Sequence, residues 1–146
     1  MSIETLFTFN AGSSTVKIGL FALGQGGPQR LARAVIDFRD EPLSLRITEG
    51  PRKIDIALSA ESGDDLTEIV AEAFDELAQD FDISRIAAVG HRVVHGGDTF
   101  DGPVALNEET ISAIEALTPL APLQQPQALK LIRAVQNTGR GLQQMA

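Results

Sequence analysis

Three short segments of the chain combine residue types that can bind an anionic group. The first runs Asn10-Ala-Gly-Ser-Ser14 and is followed by Lys17. Its small residues let backbone N–H groups approach a phosphate, with two hydroxyls and one ammonium nearby. Taken alone, so short a segment is more often a β-hairpin turn beside an exposed lysine. Its chemistry therefore depends on what the fold brings to it.

The second segment, Gly90-His-Arg-Val-Val-His-Gly-Gly97, places one arginine and two histidines beside three glycines. A planar guanidinium can bind a carboxylate or phosphate through two parallel hydrogen bonds, and glycines let a substrate approach the backbone. The alternative is an arginine in a salt bridge and histidines hydrogen-bonded in the core. A two-histidine metal site is disfavoured, because i, i+4 spacing suits a helix and this segment is extended or loop-like.

The third segment, Leu120-Ala-Pro-Leu-Gln-Gln-Pro126, contains two prolines that would brace a turn. Such a turn would hold the amides of Gln124 and Gln125 at the start of a helix. Taken singly, the segment is better explained as a plain connection between two helices.

Length and charge limit what these segments can do. With 146 residues, 12 basic and 20 acidic, the chain predicts one soluble globular domain with a net charge of −8. That charge repels nucleic acid and anionic membranes, so an anionic substrate needs cations concentrated at one cleft, such as Lys17 and Arg92. The absence of cysteine excludes disulfides and thiolate chemistry. No export signal or membrane span is recognisable, so a cytoplasmic location is expected.

Hydrophobic periodicity predicts a sheet followed by helices. Alternating apolar residues and turn signals predict five strands, over residues 3–9, 16–23, 31–36, 43–48 and 54–58. Three- and four-residue steps then predict a helix over 66–81, with Ser62 as its cap.

The rest of the chain predicts one buried strand and two more helices. Ile86-Ala-Ala-Val89 is fully apolar, so it predicts a strand buried on both faces that delivers the second segment at its carboxyl end, where clefts form. Further helices are predicted to begin at Asn107 and at Pro126. After Val135 the pattern has no period, which predicts a frayed end or loop.

Taken together and in this order, the three segments resemble the acetate and propionate kinase family, over about Ile3 to Val135. The resemblance implies an α/β fold of the actin-like, sugar-kinase-like ATPase class, a ribonuclease H-like mixed sheet with flanking helices. It also implies two domains around a cleft, of which this chain would be the amino-terminal half. The implied reaction transfers the ATP γ-phosphoryl group to acetate or propionate with Mg²⁺, giving acyl phosphate and ADP.

The resemblance also implies roles for residues of the first two segments. Asn10 would bind the metal or a phosphate, and Lys17 would bind the nucleotide. Ser13 and Ser14 would line the phosphate side of the cleft. Arg92 would bind the carboxylate of acetate or its phosphorylated form.

In the third segment the chain both follows and departs from the family pattern. Val94 of the second segment and Leu123 of the third match residues that wall a small apolar pocket for the substrate methyl group. Such a pocket separates acetate from propionate only weakly. Gln124 stands where the family usually has histidine, and Gln127 and Ala128 also differ from common family residues. An amide donates a hydrogen bond but cannot become cationic, so the catalytic role of Gln124 is the main departure.

Length is a second departure, because the family continues into a segment with a catalytic acid and then an adenosine-binding domain. The expected division is a family-like domain over 1–135 and an atypical tail over 136–146, with the carboxy-terminal nucleotide domain absent. The chain alone is then expected to be inactive, since one wall of a cleft cannot exclude water. Alternatives are a half-length paralogue that binds a small carboxylate or acyl phosphate, a homodimer, or a subunit completed by a separate carboxy-terminal partner.

Overall fold

One mixed β-sheet organises the chain in the computed structural model, which describes residues 4–83, 85–92, 104–120, 122, 124–138 and 142–146. Its strand order is β5-β4-β3-β2-β1-β6-β7. The strands are β1 (Thr5–Ala11), β2 (Thr15–Gly24), β3 (Gly27–Asp37), β4 (Ser44–Glu49), β5 (Arg52–Ala57), β6 (Ile86–His91) and β7 (Gln144–Met145). The α-helices are α1 (Leu66–Asp80), α2 (Glu108–Glu115) and α3 (Gln124–Asn137), and Thr118–Leu120 form one 3₁₀ turn.

Connection length decides which strands pair parallel. β1 to β5 follow one another in the chain through short turns, so each pairs antiparallel with the next. A crossover through α1 then returns the chain to the other edge of β1, where β6 pairs with it in parallel. The predicted sheet over the first third of the chain and the predicted mixed α/β class are thereby confirmed.

The two faces of the sheet differ in what they carry. On the helix face, Phe7 of β1 stacks on Phe74 of α1 with ring centroids 5.1 Å apart, and Phe9 meets the same ring edge-on at 6.0 Å. Alternation along the strand puts Thr8 and Asn10 on the opposite side, which we call the outer face. Burial of the phenylalanines therefore decides which way the polar residues of β1 point.

The cap of α1 and the start of α3 differ from those that the sequence predicts, whereas α1 begins at Leu66 as predicted. The cap of α1 is Asp65, whose carboxylate accepts from the Thr67 N–H at 2.9 Å, and not Ser62. Ser62 lies in a separate turn that is closed when the Asp64 N–H donates to the Glu61 carbonyl. The third helix begins at Gln124, two residues before Pro126, which the first turn accepts because its N–H groups have no intrahelical partner. The predicted start of α2 beside Asn107 is confirmed, with a capping box to Thr110.

The last strand and the buried strand also differ from expectation. Residues 86–88 of β6 are half-buried rather than buried on both faces, and the strand continues to His91. In place of a frayed end, β7 pairs in parallel with β6, with Gln144 opposite Val89. Residues 104–106 hold the other edge of β7 through backbone hydrogen bonds to Gln144 and Ala146. Within the part of the chain that the structure describes, no helix is long and apolar enough to cross a membrane.

Gly19 of β2 is required for close packing on the outer face. A Cβ at this position would collide with the Thr8 hydroxyl and lie 2.8 Å from the Phe21 ring. We expect Gly19→Ala to lower the free energy of unfolding by about 1–3 kcal/mol, the usual cost of overpacking. Urea denaturation of the purified chain measures this change.

Gly26 provides the matched control, because a Cβ there meets nothing within 4 Å. Gly26→Ala should leave the free energy of unfolding unchanged or raise it slightly. Equal destabilisation by the two substitutions would contradict the packing role of Gly19.

Candidate functional site

The first segment forms the turn between β1 and β2. The Gly12 N–H donates to the Thr15 carbonyl at 2.7 Å, and the Phe38 N–H donates to the Ser14 carbonyl at 2.8 Å, which ties the turn to the end of β3. Ser13 at the tip is exposed and Ser14 is half-buried. Neither hydroxyl is hydrogen-bonded to another residue that the structure describes. The turn is thus a hairpin, as the simpler interpretation predicted, and it leaves two hydroxyls available.

Three neighbouring strands bring Lys17, Asn10 and Arg92 to one edge of the sheet. Asn10 lies directly opposite Lys17 in the antiparallel ladder, so both side chains belong to the outer face. The Arg92 N–H donates to the Phe9 carbonyl at 3.0 Å, which continues the parallel ladder one residue beyond His91. Since His91 pairs with Phe9 of the helix face, alternation assigns Arg92 to the outer face.

The three residues form a short polar row, in the order Lys17, Asn10, Arg92. Adjacent strands lie about 4.8 Å apart, so the row spans about 10 Å between its outer Cα positions. Lys17 and Arg92 are exposed and Asn10 is half-buried. Neither cation forms an ion pair with a residue in the described ranges. Two available positive charges flanking an amide can bind a ligand with a carboxylate or phosphate.

The third segment starts a helix, and its second glutamine has a structural contact. Gln124 is the first residue of α3, and the buried Gln125 donates through Nε2 to the Ile114 carbonyl of α2 at 3.2 Å. For Gln125 the interpretation as a connection between helices therefore holds. The Gln124 side chain, Val94 and Leu123 lie outside the described residues, so their predicted roles stay predictions.

A model of the Acetokinase family matches residues 5–146 of the chain. The chain belongs to the acetokinase family. It is 35% identical over 153 residues to an acetate kinase of Streptomyces coelicolor. This alignment covers 100% of this chain and 36% of the relative. The chain thus spans about a third of the length of the curated relatives it matches.

Solved structures give the same assignment. A propionate kinase from Francisella tularensis superposes with a TM-score of 0.84 at 28% identity, over 99% of this chain and 36% of that one. An acetate kinase from Porphyromonas gingivalis superposes with a TM-score of 0.78 at 28% identity, over 97% and 36%. The predicted family and its mixed sheet with flanking helices are confirmed. The match also continues past Val135 into the residues of β7.

His91, in the second segment, faces the core. Its ring stacks on Phe9 at 5.6 Å, and its Nε2 is hydrogen-bonded to the Gln144 side-chain oxygen. Burial lowers the pKa of His91 from its ordinary 6.5 to about 4, while the Gln144 hydrogen bond acts in the opposite direction. The alternative of a core histidine is correct for His91, and His95 lies outside the described residues.

Gln144 is a site-adjacent residue that sequence reasoning missed. It is buried although both its neighbours in the chain are exposed. No local signal distinguishes it, because the tail has neither periodicity nor an apolar run. Its burial depends on the pairing of β7 with β6, a contact between residues more than fifty positions apart.

Asn10 meets the requirement for one ligand of Mg²⁺ and no more. Mg²⁺ prefers oxygen ligands and commonly keeps waters and substrate phosphate oxygens in its shell. The Asn10 amide oxygen suits that shell as a single contact. Among the residues described, no group of three or more His, Asp or Glu side chains forms a metal site. A metal that arrives with phosphate oxygens would fit this single contact.

The lowered pKa of His91 predicts a pH-dependent stability. The unfolded chain binds this proton near pH 6.5, whereas the folded chain binds it only near pH 4. The free energy of unfolding should therefore be fully retained above about pH 6.5 and decrease by about 2–3 kcal/mol as the pH falls to about 4.5. Urea denaturation at several pH values measures the decrease.

His91→Gln is the reference for this measurement, because it removes the titrating group and keeps a hydrogen-bond donor. Between about pH 6.5 and 4.5, the free energy of unfolding should decrease less in His91→Gln than in the parent chain, by the same 2–3 kcal/mol, about the amount that His91 contributes. Parallel curves for the two proteins would show that His91 titrates normally and is not buried in solution.

Proposed function

We propose that this chain forms the substrate and phosphate side of an acetate or propionate kinase site. The observation that carries the proposal is the row Lys17, Asn10, Arg92, which places two available cations at one sheet edge of a chain with net charge −8. Cations held together against the overall sign of a protein are expected where an anion binds. Family membership supplies the reaction class, the transfer of the ATP γ-phosphoryl group to a short carboxylate.

Arg92 is proposed to bind the carboxylate of acetate and the same oxygens in acetyl phosphate. Its guanidinium can form two parallel hydrogen bonds, which fix both the position and the plane of a carboxylate. The backbone at Arg92 is held by the hydrogen bond to Phe9, so the side chain starts from a defined point. Val94 and Leu123 are proposed to wall the methyl pocket.

Lys17 and the β1–β2 turn are proposed to bind the phosphoryl group. The Lys17 ammonium and the hydroxyls of Ser13 and Ser14 can all donate to phosphate oxygens. Mg²⁺ held with Asn10 would neutralise phosphate charge when bound with ATP. In the reaction, one acetate oxygen forms a bond to the γ-phosphorus and the bond to the β,γ-bridging oxygen breaks, so that ADP retains the electron pair. The chain's own contribution is orientation and positive charge.

Gln124 is proposed to donate a hydrogen bond to the transferring group from the start of α3. A neutral amide gives less stabilisation than the charged donor that histidine can become, and loss of one such donor can cost about 10²-fold in rate. This observation favours a second candidate, a binding module for a small carboxylate or acyl phosphate without turnover.

Turnover also needs a second wall around the phosphoryl group, because water must be excluded during transfer. We assign that wall and the adenosine contacts to a carboxy-terminal domain or partner, in the cytoplasm where ATP is available. The 146-residue chain alone is expected to bind acetyl phosphate and to form no ATP from acetyl phosphate and ADP. Measurable ATP formation by this chain would contradict that expectation.

Substitution of Arg92 tests the carboxylate contact. Arg92→Ala should weaken binding of acetyl phosphate by about 10- to 100-fold, since a hydrogen bond to a charged group contributes about 1.5–3 kcal/mol. Isothermal titration calorimetry on the purified chain measures the dissociation constant. Arg85→Ala is the matched control, because Arg85 is an exposed arginine that precedes the opposite end of the same strand. An equal loss of affinity in both variants, or no binding by the parent chain, would refute the assignment.

Substitution of Lys17 separates the phosphate contact from the carboxylate contact. Lys17→Ala should weaken binding of acetyl phosphate and inorganic phosphate by about 10-fold and leave acetate binding unchanged, because an ammonium near the turn faces the phosphoryl group. Lys53→Ala on β5 is the control, because Lys53 is an exposed lysine on the same outer face and four strands separate β5 from β6. A parallel loss of acetate affinity in Lys17→Ala would show that the row binds one anion without distinguishing its two ends.

A further inference from the structure

The buried amide of Gln144 connects two elements that carry proposed site residues. Its Oε1 atom accepts from the His91 Nε2 atom, at the end of β6. Its Nε2 atom donates to the carbonyl of Ile132 in α3 at 3.4 Å. A single side chain therefore bridges the strand that leads to Arg92 and the helix that begins at Gln124.

The two contacts determine the orientation of the amide and the protonation of the ring. A backbone carbonyl only accepts, so the Gln144 nitrogen must face Ile132 and its oxygen must face His91. An amide oxygen also only accepts, and His91 Nε2 must then carry the hydrogen. Both partners are buried, where an unmade hydrogen bond is costly. The amide bridge therefore favours one arrangement of β6, β7 and α3.

His91 directly precedes Arg92 and contacts the residue that holds the Arg92 backbone. It is the last residue of β6, and its ring stacks on Phe9, whose carbonyl accepts from the Arg92 N–H. The ring anchored on the helix face is therefore the last buried side chain before Arg92. A shift of the ring would move the base of the arginine on the outer face.

We propose that Gln144 and His91 are positioning residues for Arg92, which hold the end of β6 against α3 through the amide bridge. The inference rests on the proposed function of Arg92 and adds to it a residue of the tail. It makes β7 part of the framework of the site. Removing the bridge is expected to weaken ligand binding even where the chain stays fully folded.

The test compares Gln144→Leu with Gln143→Leu. The first removes both hydrogen bonds and keeps a side chain of similar size, and the second makes the same change at the exposed neighbour. Calorimetry with acetyl phosphate, at a temperature where both variants are folded, should show about 10-fold weaker binding for Gln144→Leu, the usual effect of losing a supporting contact. Gln143→Leu should stay within about twofold, since exposed substitutions have small effects.

A second pair of variants separates positioning from core stability. His91→Gln places an amide N–H₂ at the distance of the ring nitrogen and can donate to Gln144, whereas His91→Leu cannot. Binding should therefore stay within about threefold of the parent in His91→Gln and fall about 10-fold in His91→Leu. A purely structural role would lower the unfolding midpoint of Gln144→Leu and His91→Leu and leave the dissociation constant of the folded chain unchanged.

The outcomes also separate this inference from the proposed function. If the parent chain does not bind acetyl phosphate, or binds it independently of Arg92, the proposed function fails first. If binding depends on Arg92 but is the same in Gln144→Leu and Gln143→Leu, only the positioning role is overturned. Loss of cooperative folding in both Gln144→Leu and His91→Leu would assign Gln144 and His91 to core stability alone. That result would also overturn the positioning role.

Discussion

The parallel pairing of β1 with β6 is the constraint on which the candidate site depends. At one end of this strand pair, the Thr5 N–H donates to the Arg85 carbonyl at 2.8 Å. At the other end, the Arg92 N–H donates to the Phe9 carbonyl. Because the strands run parallel, their carboxyl ends meet at the same edge of the sheet. The β1–β2 turn and Arg92 therefore lie side by side although eighty residues separate their segments.

Packing on the helix face determines what the outer face can present. Phe7, Phe9 and Phe74 form one aromatic cluster, and the His91 ring extends it to the end of β6. Strand alternation then directs Asn10 and Arg92 to the opposite side. Core and candidate site are thus two sides of the same backbone, which is why we expect a change in the core near His91 to affect Arg92.

Burial of His91 also leaves Lys17 and Arg92 as the cationic groups of the row at this end of the strands. His91 directly precedes Arg92, and its lowered pKa keeps the ring neutral at physiological pH. The cationic groups of the row are then Lys17 and Arg92, both exposed to solvent and to any ligand. In a chain with a net charge of −8, this local arrangement allows an anion to approach where the overall field opposes it. Under the proposed function, that anion is a short carboxylate or its acyl phosphate.

The sequence by itself determined the elements with a readable period and the segments that carry chemistry. Alternation in β1 and β2 and the helical steps of α1 are local properties, so they were predictable, as was the hairpin at Asn10 to Ser14. The cap of α1 was not, because Ser62 and Asp65 are both acceptable caps and the turn at Glu61 to Asp64 selects between them.

Only the tertiary structure decided that Lys17, Asn10 and Arg92 form a row, that His91 faces the core, and that Gln144 is buried. Each of these depends on pairing between strands that lie far apart in the chain. Periodicity within a segment carries no information about such a partner. A strand of two residues such as β7 has no period at all, and it exists because β6 and residues 104–106 supply hydrogen bonds on both its edges.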